Sequence, residues 1–290
     1  MRIHVKAPAS TANLGPGFDC AAAALDLWNE LVVEPNGGGA TVEIEGEGAD
    51  ELPRDEGHLA LRAFACFSAP AGYRFRFVNR IPLERGLGAS ASAIALGLVA
   101  GAAAAGELPT EQELLCTGEP LEGHSDNLAA ALLGGVTVAW HRGGEVEARR
   151  LAGDLPLTPV LVVPAELTST HRSRSALPPT VTHEDAAATA AAAALLGAAI
   201  AQQDAELLGR AFDDRLHEPY RLESAPLLAR LREQPPARAA GVTLSGSGPS
   251  VVVWAAEEAV ADVVAELARV LPPETTVLPL RVAQTGATLE

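Results

Sequence analysis

Lysine is almost absent: Lys6 is the only one in 290 residues, and arginine carries nearly all the basic charge. A Walker A phosphate loop, which needs a lysine after its last glycine, is therefore excluded. What remains for gripping carboxylates and phosphates is the planar guanidinium fork. Aromatic residues are scarce too, 4% against 48% hydrophobic, so the core must be mostly Ala, Val and Leu. Cys20, Cys66 and Cys116 are few, odd in number and outside any metal-ligand spacing. Inert thiols in a reducing compartment follow. Positive charge is short: 21 Lys and Arg against 37 Asp and Glu give a net charge of −16, which argues against nucleic acid as a partner. Two uncharged runs, 89–106 and 186–203, approach membrane-spanning length. Both are dominated by alanine with interrupting polar residues or glycine, which makes them poor lipid spanners. The N-terminus alternates like a strand and lacks the apolar stretch of a secretory signal. No membrane partner and a cytoplasmic location are expected.

What is present is glycine at pointed places. The chain is long enough for one large domain or two ordinary ones. Its organising stretch is Pro82-Leu-Glu-Arg-Gly-Leu-Gly-Ala-Ser-Ala-Ser92, preceded by an alternating run, 75–81, and followed by an uncharged one, 91–105. The spacing predicts a strand, a glycine turn and a buried helix. A glycine turn at the mouth of a helix leaves backbone N–H groups unpaired and pointing outward, which favours an anion. A plain glycine turn with a serine cap accounts for the same residues. Gly86-Leu-Gly88-Ala-Ser-Ala91 also fits a dinucleotide fingerprint with alanine in third place. That motif demands a strand running straight into the first glycine, and Pro82-Leu-Glu-Arg85 intervenes.

The remaining elements can be read in order. Residues 2–9 form a strand leading to Asn13-Leu-Gly-Pro-Gly-Phe-Asp19, a sharp turn whose Asn and Asp are either turn formers or functional. Strands are expected at 25–34 and 40–45, and a helix over 57–67. A short helix at 111–117 delivers an acidic loop, Gly118-Glu-Pro-Leu-Glu-Gly-His-Ser-Asp-Asn127, before a helix at 128–133 and a strand at 136–140. That loop is either solvated or a site. If it is a site, Glu122 suits magnesium better than His124 suits a transition metal. Composition shifts near 151–156, a domain boundary. Beyond it come a buried strand at 159–164 and a hydroxyl- and arginine-rich loop, 168–178. A capping box at Thr182 opens a long helix, and a second helix covers 205–216. Last comes a strand, a glycine turn and a strand across 241–254, where a simple hairpin suffices.

Three glycine-rich segments in this order, Pro8 to Asp19, Pro82 to Ser92 and Leu244-Ser-Gly-Ser-Gly-Pro249, resemble the three motifs of the small-molecule kinases typified by galactokinase, homoserine kinase, mevalonate kinase and phosphomevalonate kinase (GHMP). The homoserine kinase branch is the most similar. It is suggested by Asn13 to Asp19, by Glu122-Gly-His-Ser-Asp-Asn127 with Gly134-Gly135, by Thr170-His-Arg-Ser-Arg174, and by Asp214-Arg-Leu-His-Glu-Pro-Tyr-Arg221. The resemblance covers nearly the whole chain.

It implies an α+β, two-domain GHMP-kinase fold. Residues 1–150 would form an N-terminal domain like the second domain of ribosomal protein S5, with a left-handed β-α-β unit. Residues 151–290 would form a ferredoxin-like C-terminal domain. ATP and Mg2+ would bind between them, and the γ-phosphoryl group would pass to the side-chain hydroxyl of L-homoserine, on the route to threonine. By the same resemblance the phosphate loop is Pro82, Arg85, Gly86, Leu87, Gly88, Ala89, Ser90, Ala91 and Ser92. The metal would fall to Ser90 and Glu122, with Glu119 as a rival. The family usually has Ser-Ser where this chain has Ala89-Ser90. Arg174 and Arg221 would hold the carboxylate and Asp19 the ammonium, while His124 and Thr170 would complete the pocket. Asn13 and Asn127 would aim the hydroxyl, with Asp126 as the base if one is used. Family members are often homodimers. A mevalonate-type kinase, or a non-catalytic ligand sensor on the same fold, are the alternatives.

Overall fold

A computed structural model describes residues 2–165 and 174–290. The first half is built on one sheet. Its strands are β1 (Ile3–Ala12), β2 (Ala21–Pro35), β3 (Thr41–Gly46), β4 (Tyr73–Asn79), β5 (Val136–Arg142) and β6 (Glu145–Ala152). The order β1-β2-β4-β3 is extended by β5, which pairs with β2 and in turn with β6. The pairings are antiparallel except β3 with β4, which are joined by a crossover through α1 (Leu59–Phe64), giving the β-α-β unit.

Three further helices, α2 (Ala89–Ala105), α3 (Glu111–Glu122) and α4 (Ser125–Leu133), join α1 over the sheet. Val5, Leu31 and Phe75 are buried there against Leu61, Ile94 and Leu98. With so few aromatics, density depends on backbone approaching backbone. A Cβ at Gly97 would lie 2.1 Å from the Ala60 carbonyl, and one at Gly101 2.6 Å from that of Phe64. The glycines at this i, i+4 spacing let α1 lie directly on α2.

The second sheet contains β7 (Thr158–Val163), β8 (Ala239–Leu244), β9 (Val251–Ala255) and β10 (Thr276–Pro279). All pairs are antiparallel and the order is β10-β7-β9-β8. Counted along the chain this is 4-1-3-2, the ferredoxin-like arrangement. Among the described residues it is accompanied by α5 (His183–Gln202), α6 (Ala205–Arg210), α7 (Glu218–Arg221), α8 (Pro226–Glu233) and α9 (Val260–Val270). Residues from α8 and α9, among them Leu228 and Val263, bury Val160 and Val253 on one face. From the other face Leu161, Val252 and Trp254 join Ala9, Leu14, Ile81 and Leu87 in a single apolar cluster, which welds the two halves together. The tail returns to the first sheet, where β11 (Thr288–Leu289) pairs with β1. Helix α5 is long and apolar enough to cross a membrane by length and composition, but it places Leu196, Ala199 and Ile200 in that inter-half cluster.

Two expectations from the sequence need correction, and one strand went unforeseen. α3 does not stop at 117: its capping box at Thr110 and Glu113 is present, and the helix runs through Pro120 to Glu122. Pro120 lacks the amide that would bond the Cys116 carbonyl, and the helix carries that missing bond through to Glu122. Glu119 and Glu122 therefore ride on a helix rather than a loop. The helix expected over 205–216 is broken after Arg210. Phe212 turns in to stack on Trp254, at 5.2 Å between centroids. The Asp214 carboxylate then accepts the N–H groups of Leu216, His217 and Glu218, which starts a new turn. Finally β6 was not foreseen, because Glu145–Ala152 offers only Val146 and Ala148 as buried apolar residues.

Candidate active site

Strand β4 and helix α2 are joined by the loop 80–88, and the loop ends in a mouth made of backbone. Gly88 caps α2 with φ +66° and no side-chain hydrogen bond. The first helical bond is Ser92 N–H to the Gly88 carbonyl. The amides of Ala89, Ser90 and Ala91 thus precede the ladder, at the positive end of the helix dipole. The third glycine segment backs this loop. A Cβ at Gly86 would sit 2.1 Å from the Ser245 carbonyl oxygen, and the Ser245 hydroxyl donates to the Gly86 carbonyl at 2.8 Å. Only glycine, at φ +72°, permits that approach.

Beside the mouth, Ser90 Oγ donates to Glu122 Oε1 at 2.7 Å. Burial pushes the Glu122 carboxyl up to about 7; the Ser90 hydroxyl opposes the shift and the Asp126 charge adds to it. A carboxyl whose charged form its surroundings disfavour, next to a hydroxyl and an array of amides, suits a hard cation shared with phosphate oxygens. Magnesium takes one or two carboxylates plus substrate phosphates in this way. Among the described residues no cluster of three or more His, Cys, Asp or Glu could cage a metal alone. Glu119 faces elsewhere, with His141 Nε2 3.4 Å from its Oε1.

A cleft of about 540 Å³ runs from this mouth to a polar end lined by Asn13, Asp19, His124, Asp126, Arg174 and Arg221. Arg174 Nη2 donates to Asp19 Oδ1 at 2.8 Å. Both guanidiniums lie over the Phe18 ring, their carbons 5.8 and 5.4 Å from its centre. Arg221, on α7, is buried, and burial pulls its pKa below the usual arginine value, with nearby Asp19 opposing that shift. Asp126 is buried in the first turn of α4; burial, reinforced by Asp19, raises its carboxyl, while the Asn127 N–H donates to Oδ1 at 2.7 Å.

Most residues singled out in the sequence converge here, with specific departures. Pro82, Arg85, Gly86, Leu87, Gly88, Ala89 and Ser90 all line the cleft, as do Glu122 and Asn127. Ala91 and Ser92 do not. The helical period turns them toward β1, where the Ser92 hydroxyl donates to the Ala7 carbonyl, so Ala91 can offer only its amide and Ser92 nothing. The Arg85 guanidinium is drawn across to the carbonyls of Pro164 and Ala165, at 3.0 and 2.6 Å. It ties the loop to the second half instead of facing phosphate. Asn13 holds its loop together: Oδ1 accepts the Asp19 N–H and Nδ2 donates to the Gly246 carbonyl. Asn127 Oδ1 likewise accepts from the Ser10 hydroxyl at 2.7 Å. Thr170 lies outside the described residues.

Family models identify the two halves: the GHMP kinases N terminal domain over residues 58–135 and the GHMP kinases C terminal over 191–272. A homoserine kinase of Streptomyces avermitilis is 42% identical over 275 residues, covering 92% of this chain and 89% of that protein. The chain belongs to the GHMP kinases. A homoserine kinase of Moorella thermoacetica is 40% identical over 86% of each chain. Among solved structures, the homoserine kinase from Cytophaga hutchinsonii superposes with a TM-score of 0.87 at 25% identity, covering 100% of this chain and 97% of that one. Mevalonate kinase from L. major, 17% identical with a TM-score of 0.72 over 97% of this chain and 96% of that one, shares the fold.

Two groups in this GHMP kinase escaped the sequence reading. At the apolar end of the cleft, His58 stacks on Phe77, 4.4 Å between centroids, and caps α1 with Nδ1. At the polar end, His217 lies wholly buried behind Arg221. His58 follows no motif spacing, and only the alternation of Phe75 and Phe77 marked that wall; His217 stands inside the 214–221 segment, which names it without giving it a role.

Proposed function

We propose that this chain is a homoserine kinase, moving the γ-phosphoryl group of ATP to the side-chain hydroxyl of L-homoserine. The observation that carries it is a cleft with amide donors at one end and two guanidiniums with a carboxylate at the other. A polyphosphate is complementary to the first end, and an amino acid's carboxylate and ammonium to the second. Curated relatives about 40% identical over most of the chain carry that name.

In this reading the amides of Ala89, Ser90 and Ala91 cradle the phosphates across Gly86 and Gly88. Ser90 and Glu122 would hold magnesium, which when bound would supply charge neutralisation to the phosphates. Ser90's short bond to Glu122, with Glu119 committed near His141, supports Glu122 over its rival. Arg174 and Arg221 take the substrate carboxylate and Asp19 its ammonium, with His124 beside them. The hydroxyl oxygen forms its bond to the γ-phosphorus while the bridging oxygen leaves with ADP. A loose transition state asks for alignment and charge balance above all. Asp126, a buried carboxyl in the first turn of α4, receives the hydroxyl proton. Asn13 and Asn127 set the loops that aim the hydroxyl. We place the division between domains in the segment 153–157, after β6 ends and before β7 begins, a few residues beyond the expected 150, and the enzyme in the cytoplasm.

The test is ADP release coupled to product detection by phosphorus NMR, across homoserine, serine, threonine and mevalonate. Phosphohomoserine formed only with homoserine and magnesium is the expected result. Turnover of mevalonate without homoserine, or binding of both ligands without product, overturns it.

A further inference from the structure

Resting on that function, we infer that His217 is the positioning residue that aims Arg221 at the substrate carboxylate and ties its direction to the first glycine segment. Three contacts carry the argument. Arg221 Nη1 lies 2.9 Å from His217 Nδ1. His217 Nε2 lies 2.9 Å from the Gly15 carbonyl oxygen, 202 residues away in sequence. The imidazole stacks on Phe18, 4.9 Å between centroids, the same ring over which both guanidiniums lie.

The partners dictate the tautomer. A guanidinium N–H can only donate, so Nδ1 is the acceptor; a carbonyl oxygen can only accept, so Nε2 carries the proton. Protonating both nitrogens would set two donors against each other at Nδ1. The neutral state agrees with the imidazole's complete burial, which pushes its pKa down to about 4, against the pull of Asp214. Asp214 Oδ2 lies 3.6 Å from Nε2 but accepts the backbone N–H groups of His217 and Glu218.

A neutral acceptor fixes a guanidinium's direction without cancelling its charge. Arg174 is held differently, by the Asp19 carboxylate. The scaffold beneath His217 is firm as well. Glu218, buried in the same turn, accepts the Leu244 N–H at 2.6 Å and pairs with Arg232. His217 does not line the cleft, so its effect on substrate must pass through Arg221.

The experiment compares steady-state constants of the wild type with H217F, H217N and H217Q, each checked for folding by circular dichroism. H217F removes the acceptor, and the KM for L-homoserine should rise about ten- to thirtyfold, the loss of one hydrogen bond to a charged group. Neither the KM for ATP nor kcat should change by more than about twofold, since neither involves the carboxylate grip. H217N places an oxygen where Nδ1 was and should restore most of the affinity. H217Q keeps a group near the Gly15 carbonyl but not at Nδ1, and should behave like H217F, so it carries the test if H217F does not fold. An unchanged homoserine KM in H217F or H217Q, a parallel change in the KM for ATP, or H217Q matching H217N would overturn the inference. Absence of phosphohomoserine from the wild type would instead remove the function it rests on.

Discussion

The two ends of the cleft are built from different materials. The phosphate end is backbone: amides at the start of α2, held open by Gly86 and Gly88, with no side-chain cap. The amino-acid end is side chain, cross-linked over long sequence distances by Arg174 to Asp19 and by His217 to Gly15. Amides present a fixed geometry that any polyphosphate can use, whereas guanidiniums and carboxylates select by charge and spacing. The difference assigns generality to one end and selectivity to the other. It also implies opposite sensitivities, because a backbone site is destroyed by added atoms and a side-chain site by removed ones.

Adding one methyl group is the harshest test. Gly86→Ala forces a Cβ against the Ser245 carbonyl at a positive φ. It should cost about 2–3 kcal/mol of stability. The same substitution should lower kcat/KM roughly a thousandfold, because displaced amides remove electrostatic stabilisation of the transferring group. Urea unfolding and initial rates read both effects, and a near-normal rate would mean the loop does not cradle phosphate. Glu122→Gln sharpens the boundary between the ends. It should reduce turnover about a hundredfold with a raised magnesium requirement, while Glu119→Gln changes it by less than about threefold. Reversed effects would hand the metal to Glu119. At the selective end, Arg221→Leu should raise the homoserine KM about thirtyfold. Arg174→Leu, half exposed and already paired with Asp19, should raise it about tenfold. Neither should alter the KM for ATP; a change there would erase the contrast between the ends.

That contrast also explains what could be read from the amino-acid order. Backbone sites announce themselves, because positive φ demands glycine at fixed positions and an uncharged run must follow to make a buried helix. The mouth at Gly86 to Ser90 was legible for that reason, and so was the hairpin around Gly246; the Glu122 to Asn127 cluster showed instead as polar side chains crowded between two helical runs. Side-chain sites are assembled by the fold. Arg174 and Arg221 could be nominated through resemblance, but nothing near Gly15 betrays that its carbonyl meets the His217 ring at hydrogen-bond distance. Arg85 and Ser92 misled because residue type suggested phosphate, while the crossing to Pro164 and the helix period decided otherwise. The ends of α3 and α6 were hidden by Pro120 and by the Asp214 cap. β10 and β11 are too short and too exposed to carry an alternation.

The smallest expected effect concerns the ground behind the backbone-built end. His58 is buried, stacked on Phe77, and its Nδ1 accepts the Ala60 N–H at the start of α1, the helix on which Gly97 and Gly101 of α2 lie. Burial pushes its pKa down from 6.5 to about 4. A depressed histidine contributes stability that is complete above the unfolded value and lost as pH falls toward the folded one, because only the unfolded chain accepts the proton. Between pH 6.5 and 4, then, this residue should cost up to about 1.4 kcal/mol per pH unit. His58→Asn retains a capping oxygen but cannot titrate. Measured by urea unfolding, wild-type stability relative to that variant should fall by about 1–2 kcal/mol from pH 7 to pH 5, with turnover at neutral pH changed little. Parallel pH dependences would show that His58 is not held neutral, and that the helix pair supporting the phosphate mouth tolerates a charge the present packing forbids.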